Sequence, residues 1–313
     1  MEMGSEGMLN VHQLKIFRTV VRAGSFSRAA EELRITQPSV SIQVRELERA
    51  LGVELFEQIG KRIFLTEAGR VLDEYAVRIL SLLEEAEQAV RDLRGAAAGS
   101  LRVGANNTAG TYLLPPLLAR VREQAPEAEI TLEILPTRRV YEKLLRNELD
   151  VGVVGDGMRH ESIVHFPYYT DQLVVIASRD HPLAQRRDVT AAELVRQRLV
   201  MRERGSGTRE AAERAFRSLG LVPTPAMELQ GNEAVVRAVA AGLGVGVISR
   251  LAAEDALRQG HLVVVDTVDF RPTRTLWGVR HREKRVSILM RALLELMGDP
   301  QFTRVAAEDV GAG

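Results

Sequence analysis

The sequence predicts three successive parts: a small all-α domain that ends in a β-hairpin, one long helix, and a large α/β region built as two lobes. Three observations predict this order. Short amphipathic helices with polar caps fill the first 66 residues, an uninterrupted heptad pattern follows, and strands alternate with helices after residue 100. A chain of 313 residues is long enough to form more than one core.

The small domain, expected over residues 9–66, opens with two short helices. The apolar residues of the first helix recur at helical spacing and are Leu14, Phe17, Val20 and Val21. Gly24 ends that helix, and Ser27 is a suitable N-cap for the second. A turn at Arg34–Ile35 separates the second helix from the third, so the pattern is typical of a helix-turn-helix.

The third helix begins after the N-cap Thr36 and separates into an apolar face and a polar face. The apolar stripe consists of Val40, Val44, Leu47 and Leu51. The opposite face consists of Pro38, Ser41, Ile42, Arg45 and Arg49. On this face Ser41 and Arg45 would contact base edges or phosphates of DNA, and Ile42 a thymine methyl group. A structural helix with a solvated outer face gives the same pattern, so this helix alone leaves both interpretations open.

Gln37 and Ser39, at the start of the third helix, are also placed for phosphate or base contact. After the helix, the segment LFEQIGKRIFLT predicts a strand, a turn at Gly60 and a second strand, with Lys61 and Arg62 at the tip. A basic hairpin tip beside a helix-turn-helix is typical of a wing that reaches a neighbouring phosphate or minor groove. The sequence thus predicts a winged helix-turn-helix with a small β-wing.

Charge supports a local rather than a global DNA footprint. The whole chain balances 42 basic against 42 acidic residues, whereas the stretch His12–Thr66 has nine basic and six acidic side chains.

The same stretch resembles the LysR-type transcriptional regulators. The residues that carry the resemblance run from Phe17 to Glu57 and read FxxVxxxGSFSRAAxxLxITQPSVSxQVxxLExxLGVxLFE, followed by LTEAG at Leu65–Gly69. The resemblance implies DNA contacts at Gln37, Pro38, Ser39, Ser41, Lys61 and Arg62. Many members of that family carry arginine where this chain has Ile42, so part of the base readout is expected to be apolar here.

The long helix is expected over residues 67–94 and forms a dimerisation element. Its apolar residues alternate steps of four and three, and they are Ala68, Leu72, Tyr75, Ile79, Leu82, Ala86, Ala89 and Leu93. A seam held for roughly four heptads predicts a coiled coil with a second chain. We expect Leu72, Tyr75, Ile79 and Leu82 to contribute to it. The alternative is a helix packed on its own domain. The segment GAAAGS at residues 95–100 is the predicted hinge.

The region 101–298 is predicted to form a two-lobed α/β sensor similar in architecture to periplasmic binding proteins. We expect the first lobe at about 101–168 and 270–298, the second at about 169–269, and a disordered tail at 299–313. The predicted strands are Leu101–Val103, Ile130–Leu135, Val151–Val154, Leu173–Ala177, Arg198–Val200, Val245–Ile248, Leu262–Val265 and Thr275–Val279. A last helix near Val286–Met297 is expected to return to the first lobe with the final strand.

Ligands of such sheets bind where strands end and helices begin. The stretches there are 105–108, 136–138, 202–209 and 231–233. The candidate effector-binding residues are Asn106, Asn107, Thr108, Thr137, Arg138, Arg204, Ser206, Thr208 and Asn232. Hydroxyls, arginines and helix N-termini suit a small carboxylate, phosphate ester or inorganic oxyanion. Ordinary helix caps use the same residue types, so each residue singly also fits a structural role.

The resemblance extends through this region in LLPPLL, LLRNELDVGVV, LVVIASRDHPL and NEAVVRAVAAGLGVGVIS. The GSGTR loop and the Asn107–Thr108 turn are most similar to members that control carbon fixation or sulfur assimilation. The effectors of those members are phosphorylated metabolites or small anions.

Other classes of protein fit less well. The absence of cysteine excludes disulfides and thiolate chemistry, and the sequence shows no phosphate-loop lysine, metal-binding histidine pair or nucleophile elbow. We therefore expect no cofactor, no metal and no enzymatic activity. A solute-binding protein of a transport system would need no residues 12–66 and would carry a signal peptide. A cytoplasmic location without membrane association is expected.

The predicted protein is a ligand-responsive regulator that binds double-stranded operator DNA. Its expected partners are a second copy of itself in a homodimer or a homotetramer built as a dimer of dimers, a small anionic effector and RNA polymerase. Effector binding would change the angle between the lobes and with it the DNA bend.

Overall fold

The computed structural model describes residues 9–60, 62–92 and 99–299. They divide into two compact units, and each unit is described by itself. The first contains the residues before the segment 93–98 together with Arg146–Glu148, and the second contains the remaining residues after that segment. The predicted hinge lies largely outside the described residues, as do Lys61, Leu93 and the predicted tail apart from Asp299. No helix in the described ranges is long and apolar enough to cross a membrane.

Three capped helices form the start of the N-terminal unit. They are α1 (Val11–Ala23), α2 (Phe26–Leu33) and α3 (Gln37–Leu51). The side chains of Asn10, Ser25 and Thr36 accept backbone N–H bonds at the three N-termini. The cap of α2 is therefore Ser25 and not Ser27, because Ser25 has the extended backbone of a cap while Ser27 lies within the helix.

The apolar stripe of α3 is buried at Val40, Val44 and Leu47, where it meets α1 and α2. The prediction that Leu51 continues the stripe is wrong. Leu51 is the last residue of α3 and is exposed, because Gly52 turns the chain away from the core there.

The predicted hairpin is present as β1 (Phe56–Ile59) and β2 (Arg62–Leu65), paired antiparallel. Gly60 lies at its tip with a φ of +65°, a conformation that glycine adopts without strain. The ring of Phe56 contacts those of Phe17 and Phe26, at centroid distances of 5.4 and 5.5 Å. These aromatic contacts fix the hairpin to the three-helix core.

The long helix α4 (Glu67–Asp92) starts inside the domain core and continues as a helix with an apolar stripe on its surface. Leu72 and Ala76 are buried with Leu14 and Phe17, so assigning Leu72 to the dimer seam is not supported. Its side chain is already covered by its own domain. The exposed apolar residues of α4 are Val71, Tyr75, Ile79, Leu82 and Val90.

The second unit is an α/β structure. Its strands are β3 (Ser100–Ala105), β4 (Glu129–Ile134), β5 (Val151–Val154), β6 (Ile163–Ser178), β7 (Leu199–Arg202), β8 (Pro225–Leu229), β9 (Val245–Ser249), β10 (Leu262–Val264) and β11 (Thr273–His281). Its helices are α5 (Leu114–Gln124), α6 (Thr137–Leu145), α7 (Ala191–Leu194), α8 (Gly207–Ser218), α9 (Asn232–Ala240), α10 (Arg250–Arg258) and α11 (Ile288–Leu296). A π-helical turn, Ala109–Leu113, leads into α5.

The strands form two lobes that share β6 and β11. In the first lobe β4, β3 and β5 are parallel, and β11 joins β5 antiparallel. In the second lobe β8, β7 and β9 are parallel, while β6 pairs antiparallel with both β9 and β10. The sheets are therefore mixed, and the expectation of a parallel sheet holds only for the three outer strands of each lobe.

Two strands, β6 and β11, run from one lobe to the other, and the cleft lies between the lobes that they connect. The first part of β6 pairs with β11 and its second part, from Leu173, pairs with β9. Both β11 and α11 return to the first lobe as predicted, since β11 pairs with β5 and α11 packs into the core with Leu101, Val103 and Leu114. The carboxyl ends of β3, β5 and β7 consequently face the same interlobe space.

Candidate functional site

The outer face of α3 is free of intradomain packing. Gln37, Pro38, Ser39, Ile42 and Arg45 are exposed. Ile42 keeps 52% of its surface accessible, a large apolar exposure for a residue in the middle of a helix. A helix face with this composition can enter a major groove.

The remaining predicted DNA contacts are Ser41 and the hairpin tip. Ser41 is half-buried, and its hydroxyl accepts a 3.4 Å hydrogen bond from the Gln37 amide. Arg62 is exposed at the start of β2. Within the ranges that the structure describes, the guanidinium groups of Arg45 and Arg62 have no ion-pair partner, so their charges are available to phosphates.

A cavity of about 420 Å³ lies between the two lobes of the second unit. Its lining consists of Asn106, Asn107, Thr108, Ile134, Leu135, Pro136, Thr137, Gly155, Arg202, Glu203, Arg204, Gly205, Ser206, Gly207, Thr208, Gln230, Gly231 and Arg274. Most of these residues follow strands or open helices in both lobes, while Ile134, Arg202 and Arg274 lie within strands. The size suits a small metabolite.

Seven of the nine candidate effector residues line this cavity, and two do not. The lining ones are Asn106, Asn107, Thr108, Thr137, Arg204, Ser206 and Thr208. Arg138 is exposed on α6 and pairs with Glu142 at 3.0 Å, so its charge is directed along the helix surface. Asn232 is buried behind the cavity wall, where its side chain contacts Arg202 and Thr108.

Thr108 joins the two lobes by hydrogen bonds. Its hydroxyl oxygen accepts from the Arg274 guanidinium at 2.8 Å and from the Asn232 amide at 3.2 Å. All three side chains are buried. Because Thr108 follows β3, Arg274 lies on β11 and Asn232 opens α9, this contact ties the first lobe to a crossing strand and to the second lobe.

Arg274 is held by a buried carboxylate. Asp171, on the other crossing strand, accepts from Arg274 Nε at 2.8 Å and from the Ser249 hydroxyl at 2.6 Å. Burial lowers the pKa of Arg274, and the neighbouring Asp171 opposes that shift. The result is a positive group fixed at the cavity wall.

A second arginine lies at the end of β7. Arg202 is buried, and its guanidinium donates two hydrogen bonds of 2.7 Å to the Glu203 carboxylate and one to the Asn232 side chain. Burial alone would raise the pKa of Glu203, but the hydrogen bonds and charge of Arg202 outweigh it and lower the pKa. Glu203 is therefore an anion facing the cavity.

Sequence reasoning did not select Arg202 or Arg274. Arg202 opens the stretch 202–209 that the sequence singled out, yet a strand-terminal arginine carries no signal of burial. Arg274 lies within a strand whose alternating pattern gives no reason to expect a charged residue in the wall of a cleft.

One polar atom at the cavity has no partner. Asn106 Oδ1 accepts the Ala109 N–H at 3.0 Å, which fixes the orientation of the amide. Its Nδ2 is buried and donates to no other group within the described residues. A buried donor of this kind costs about 1–3 kcal/mol when unpaired, so it is suited to an acceptor on a ligand.

The cavity has the chemistry of a binding site. Among residues 9–60, 62–92 and 99–299, no three histidine or acidic side chains are grouped so as to hold a metal ion. Apart from the Glu203 carboxylate, the polar groups that face the cavity are guanidinium, amide, hydroxyl and backbone N–H groups, which recognise anions.

Two family models cover most of the chain. Residues 11–70 match the bacterial regulatory helix-turn-helix protein, lysR family, and residues 94–300 match the LysR substrate binding domain. The RuBisCO operon transcriptional regulator of Acidithiobacillus ferrooxidans is 39% identical over 287 residues, which is 92% of this chain and 93% of the relative.

Solved structures of similar regulators support the same family assignment. Full-length CbnR in complex with its target DNA has a TM-score of 0.72 and 26% identity, covering 93% of this chain and 99% of that one. The CcmR regulatory domain of Synechocystis PCC6803 in complex with 2-PG has a TM-score of 0.58 and 29% identity, covering 64% of this chain and 95% of that one. The chain belongs to the LysR family: it is a transcription regulator with a DNA-binding helix-turn-helix unit and a two-lobed α/β effector-binding unit.

Proposed function

We propose that this regulator responds to a small anionic metabolite bound in the interlobe cavity. The observation that carries the proposal is the cavity lining, which combines three arginines, four hydroxyl side chains and an unpaired amide donor in a space of about 420 Å³. Arg202, Arg204 and Arg274 supply positive charge against the one lining carboxylate, that of Glu203. The hydroxyls come from Thr108, Thr137, Ser206 and Thr208. Such a set favours carboxylate and phosphate groups over neutral ligands.

The relatives support an effector from carbon metabolism. One relative is named for control of a RuBisCO operon, and a structurally similar regulatory domain binds 2-PG. We infer that the effector of this chain belongs to the phosphorylated or carboxylated metabolites of carbon fixation. Its location would be the cytoplasm, where operator DNA and these metabolites occur.

The DNA contacts belong to the same proposal. The outer face of α3 would enter the major groove with Ser41, Ile42 and Arg45, and Gln37, Pro38 and Ser39 would contact the backbone or bases from the start of that helix. The hairpin tip, with Lys61 and Arg62, would reach a flanking phosphate. The exposure of these residues supports this, apart from half-buried Ser41 and from Lys61, which lies outside the described residues.

Dimerisation is proposed through α4. Tyr75, Ile79 and Leu82 form an exposed apolar stripe with Val71 and Val90, and water-exposed apolar area of this extent on one helix favours a partner helix. Two dimers would assemble into a tetramer that spans two operator half-sites and bends the DNA between them. The effector would change that bend and the access of RNA polymerase.

Calorimetric titration of the full chain tests the effector proposal. The probes are 2-PG, inorganic phosphate and small carboxylates, with a neutral sugar as a negative control. We expect saturable binding of an anionic probe and a thermal stabilisation that grows with its concentration, by about 2.7 kcal/mol at 100 times the Kd.

The matched variants are Arg204→Ala and Arg217→Ala. Arg204 lines the cavity, whereas Arg217 lies on α8 of the same lobe, is exposed and pairs with Glu213. Loss of one cation near the ligand should weaken binding about tenfold in the first variant and leave it unchanged in the second. Equal affinity in both variants, or no binding of any anion by the unaltered chain, would contradict the proposal.

A further inference from the structure

The Glu203 carboxylate occupies a set of anion-binding donors at the edge of the cavity. It accepts two hydrogen bonds from the Arg202 guanidinium, both at 2.7 Å, and one from the Gly231 backbone N–H at 3.4 Å. A guanidinium fork combined with a backbone N–H is the arrangement by which proteins bind free carboxylates and phosphates. Here the bound anion is part of the chain itself.

This pairing of adjacent residues depends on where β7 ends. Successive side chains on a strand point to opposite faces, so Arg202 and Glu203 could not meet inside a regular strand. Arg202 is the last residue of β7, and the chain turns immediately after it into the 203–206 loop, where the Ser206 N–H donates to the Glu203 carbonyl at 3.2 Å. The turn brings the carboxylate back onto the guanidinium.

The two partners differ in accessibility. The Arg202 side chain is 6% exposed, whereas the Glu203 side chain is 31% exposed and faces the cavity. A molecule in the cavity therefore meets the Glu203 carboxylate, and the positive charge of Arg202 lies behind it. Asn232 holds Arg202 from the other side, so the guanidinium stays in place when Glu203 moves.

Helix α9 adds to the attraction for an anion. Gly231 precedes this nine-residue helix with a φ of +80°, and its N–H donates to the Glu203 carboxylate. The N-terminus of a helix carries a partial positive charge and free N–H groups. The same groups that hold Glu203 would hold a carboxylate or phosphate group of a ligand.

We propose that Glu203 is an internal competitor for the anion subsite of the effector cavity. The effector's carboxylate or phosphate displaces the Glu203 carboxylate from Arg202 and Gly231, and Glu203 turns out into the solvent. The proposal rests on the effector function proposed above. Displacement moves the 203–206 loop, which also supplies Arg204 and Ser206 to the cavity, so anion binding and loop position are coupled.

The test compares phosphate binding by the full-length wild type and by Glu203→Gln, measured by calorimetry with inorganic phosphate as the probe. A charge of the same sign within about 4–6 Å changes the free energy of an ionised group by the equivalent of one or more pKa units. Removing that charge should lower the Kd for phosphate by about tenfold or more. Glu203→Asp, which retains the charge on a shorter side chain, should give a smaller gain.

Glu213→Gln is the matched control. Glu213 lies in the same lobe and is also paired with an arginine, Arg209, at 2.7 Å, but it does not line the cavity. Its substitution should leave the Kd for phosphate unchanged. A crystal structure of Glu203→Gln with phosphate should show the ion on Arg202 and the Gly231 N–H.

The outcomes separate the two proposals. If the wild type binds an anion in the cavity and Glu203→Gln binds it no more tightly, the competition is refuted and the effector site stands. If Glu203→Gln binds no phosphate at all, the subsite is refuted, because the donors would then be free of their competitor. Loss of phosphate binding in Arg202→Gln, with retained binding in Arg217→Ala, supports the subsite.

Discussion

At the scale of single residues, the cleft depends on charges buried in its wall. Arg274 and Asp171 come from two crossing strands and have side chains that are 4% and 1% exposed. A buried ion pair adds little net stability, but removal of one partner leaves an uncompensated charge away from water. Loss of either residue is therefore expected to lower the stability of the fold.

Asp171→Asn should lower the free energy of unfolding by about 3–5 kcal/mol, since it leaves Arg274 buried without a counter-charge. Urea denaturation followed by circular dichroism measures this. The control is Asp188→Asn, whose partner Arg186 is 40% exposed and whose own side chain is 75% exposed; a surface pair of this kind contributes about 1 kcal/mol or less. Similar losses in both variants would contradict the prediction.

Ile42 allows a test of base readout at a single position. If Ile42 contacts a thymine methyl, replacing that thymine with uracil in the operator should weaken wild-type binding about fourfold, the value of one methyl group at about 0.8 kcal/mol. Ile42→Ala should no longer distinguish the two bases. Gel-shift titration measures the Kd values, and Val53→Ala, an exposed apolar residue just beyond α3, is the control. Continued discrimination by Ile42→Ala at every thymine of the operator would exclude the contact.

At the scale of elements, α4 has two successive roles along its length. Its first turns complete the core of the N-terminal unit with Leu72 and Ala76, and its later turns expose apolar residues. The heptad pattern in the sequence runs through both parts without a break. Periodicity identified the helix and its apolar seam but could not show that the first part of the seam packs within the domain.

Leu82→Glu should disrupt the proposed dimer. Leu82 is 62% exposed in the single chain, and a carboxylate at a seam position would be buried against the partner without a counter-charge. Sedimentation analysis should show a shift to monomer, with unchanged helical content. The control is Glu84→Lys, because Glu84 lies two residues and about 200° further round the helix. This variant should remain a dimer. A dimer that persists in Leu82→Glu would place the interface elsewhere.

Two strands of the structure were not fully predicted from the sequence. The sequence predicted only Leu173–Ala177 of β6, which extends over 16 residues from Ile163. It also missed β8, which starts at Pro225 on the edge of the second lobe. Proline at the start of an edge strand is compatible with pairing on one side. In a sequence pattern, however, proline usually indicates that no strand is present.

At the scale of the whole molecule, DNA binding and effector binding are assigned to different units. The exposed face of α3 belongs to the N-terminal unit, and the cavity lies entirely within the second. A substitution in the cavity should therefore separate the two activities. Effector binding is expected to change the length of the protected DNA and its bend, because the effector binds one interlobe arrangement more tightly than another.

Thr108→Val should abolish the response and preserve operator binding. Valine has the shape of threonine but cannot accept the hydrogen bonds of Arg274 and Asn232, so two buried donors lose their acceptor at the lobe junction. Footprinting with and without 2-PG measures the response, and gel shift measures operator affinity. Thr131→Val, at an exposed position of β4, is the control and should respond like wild type. A normal footprint change in Thr108→Val would contradict the role of this contact.

Local sequence patterns are enough to predict the elements whose signals lie within a few consecutive residues. The Thr36 cap, the apolar stripe at Val40, Val44 and Leu47, and the Gly60 hairpin follow from local backbone preferences and side-chain spacing, and the structure contains all of them. Most of the loops that line the cavity were found in the same way, because polar residues after strands mark the edge of a sheet.

Contacts between residues far apart in the chain become visible only in the folded protein. Asp171 and Arg274 are 103 positions apart, and Thr108 and Arg274 are 166 apart, yet they form one buried network. These contacts exist because β6 and β11 cross between the lobes and pair side by side. A buried charge is stable only beside its partner, and the partner is brought there by strand pairing that no local pattern encodes.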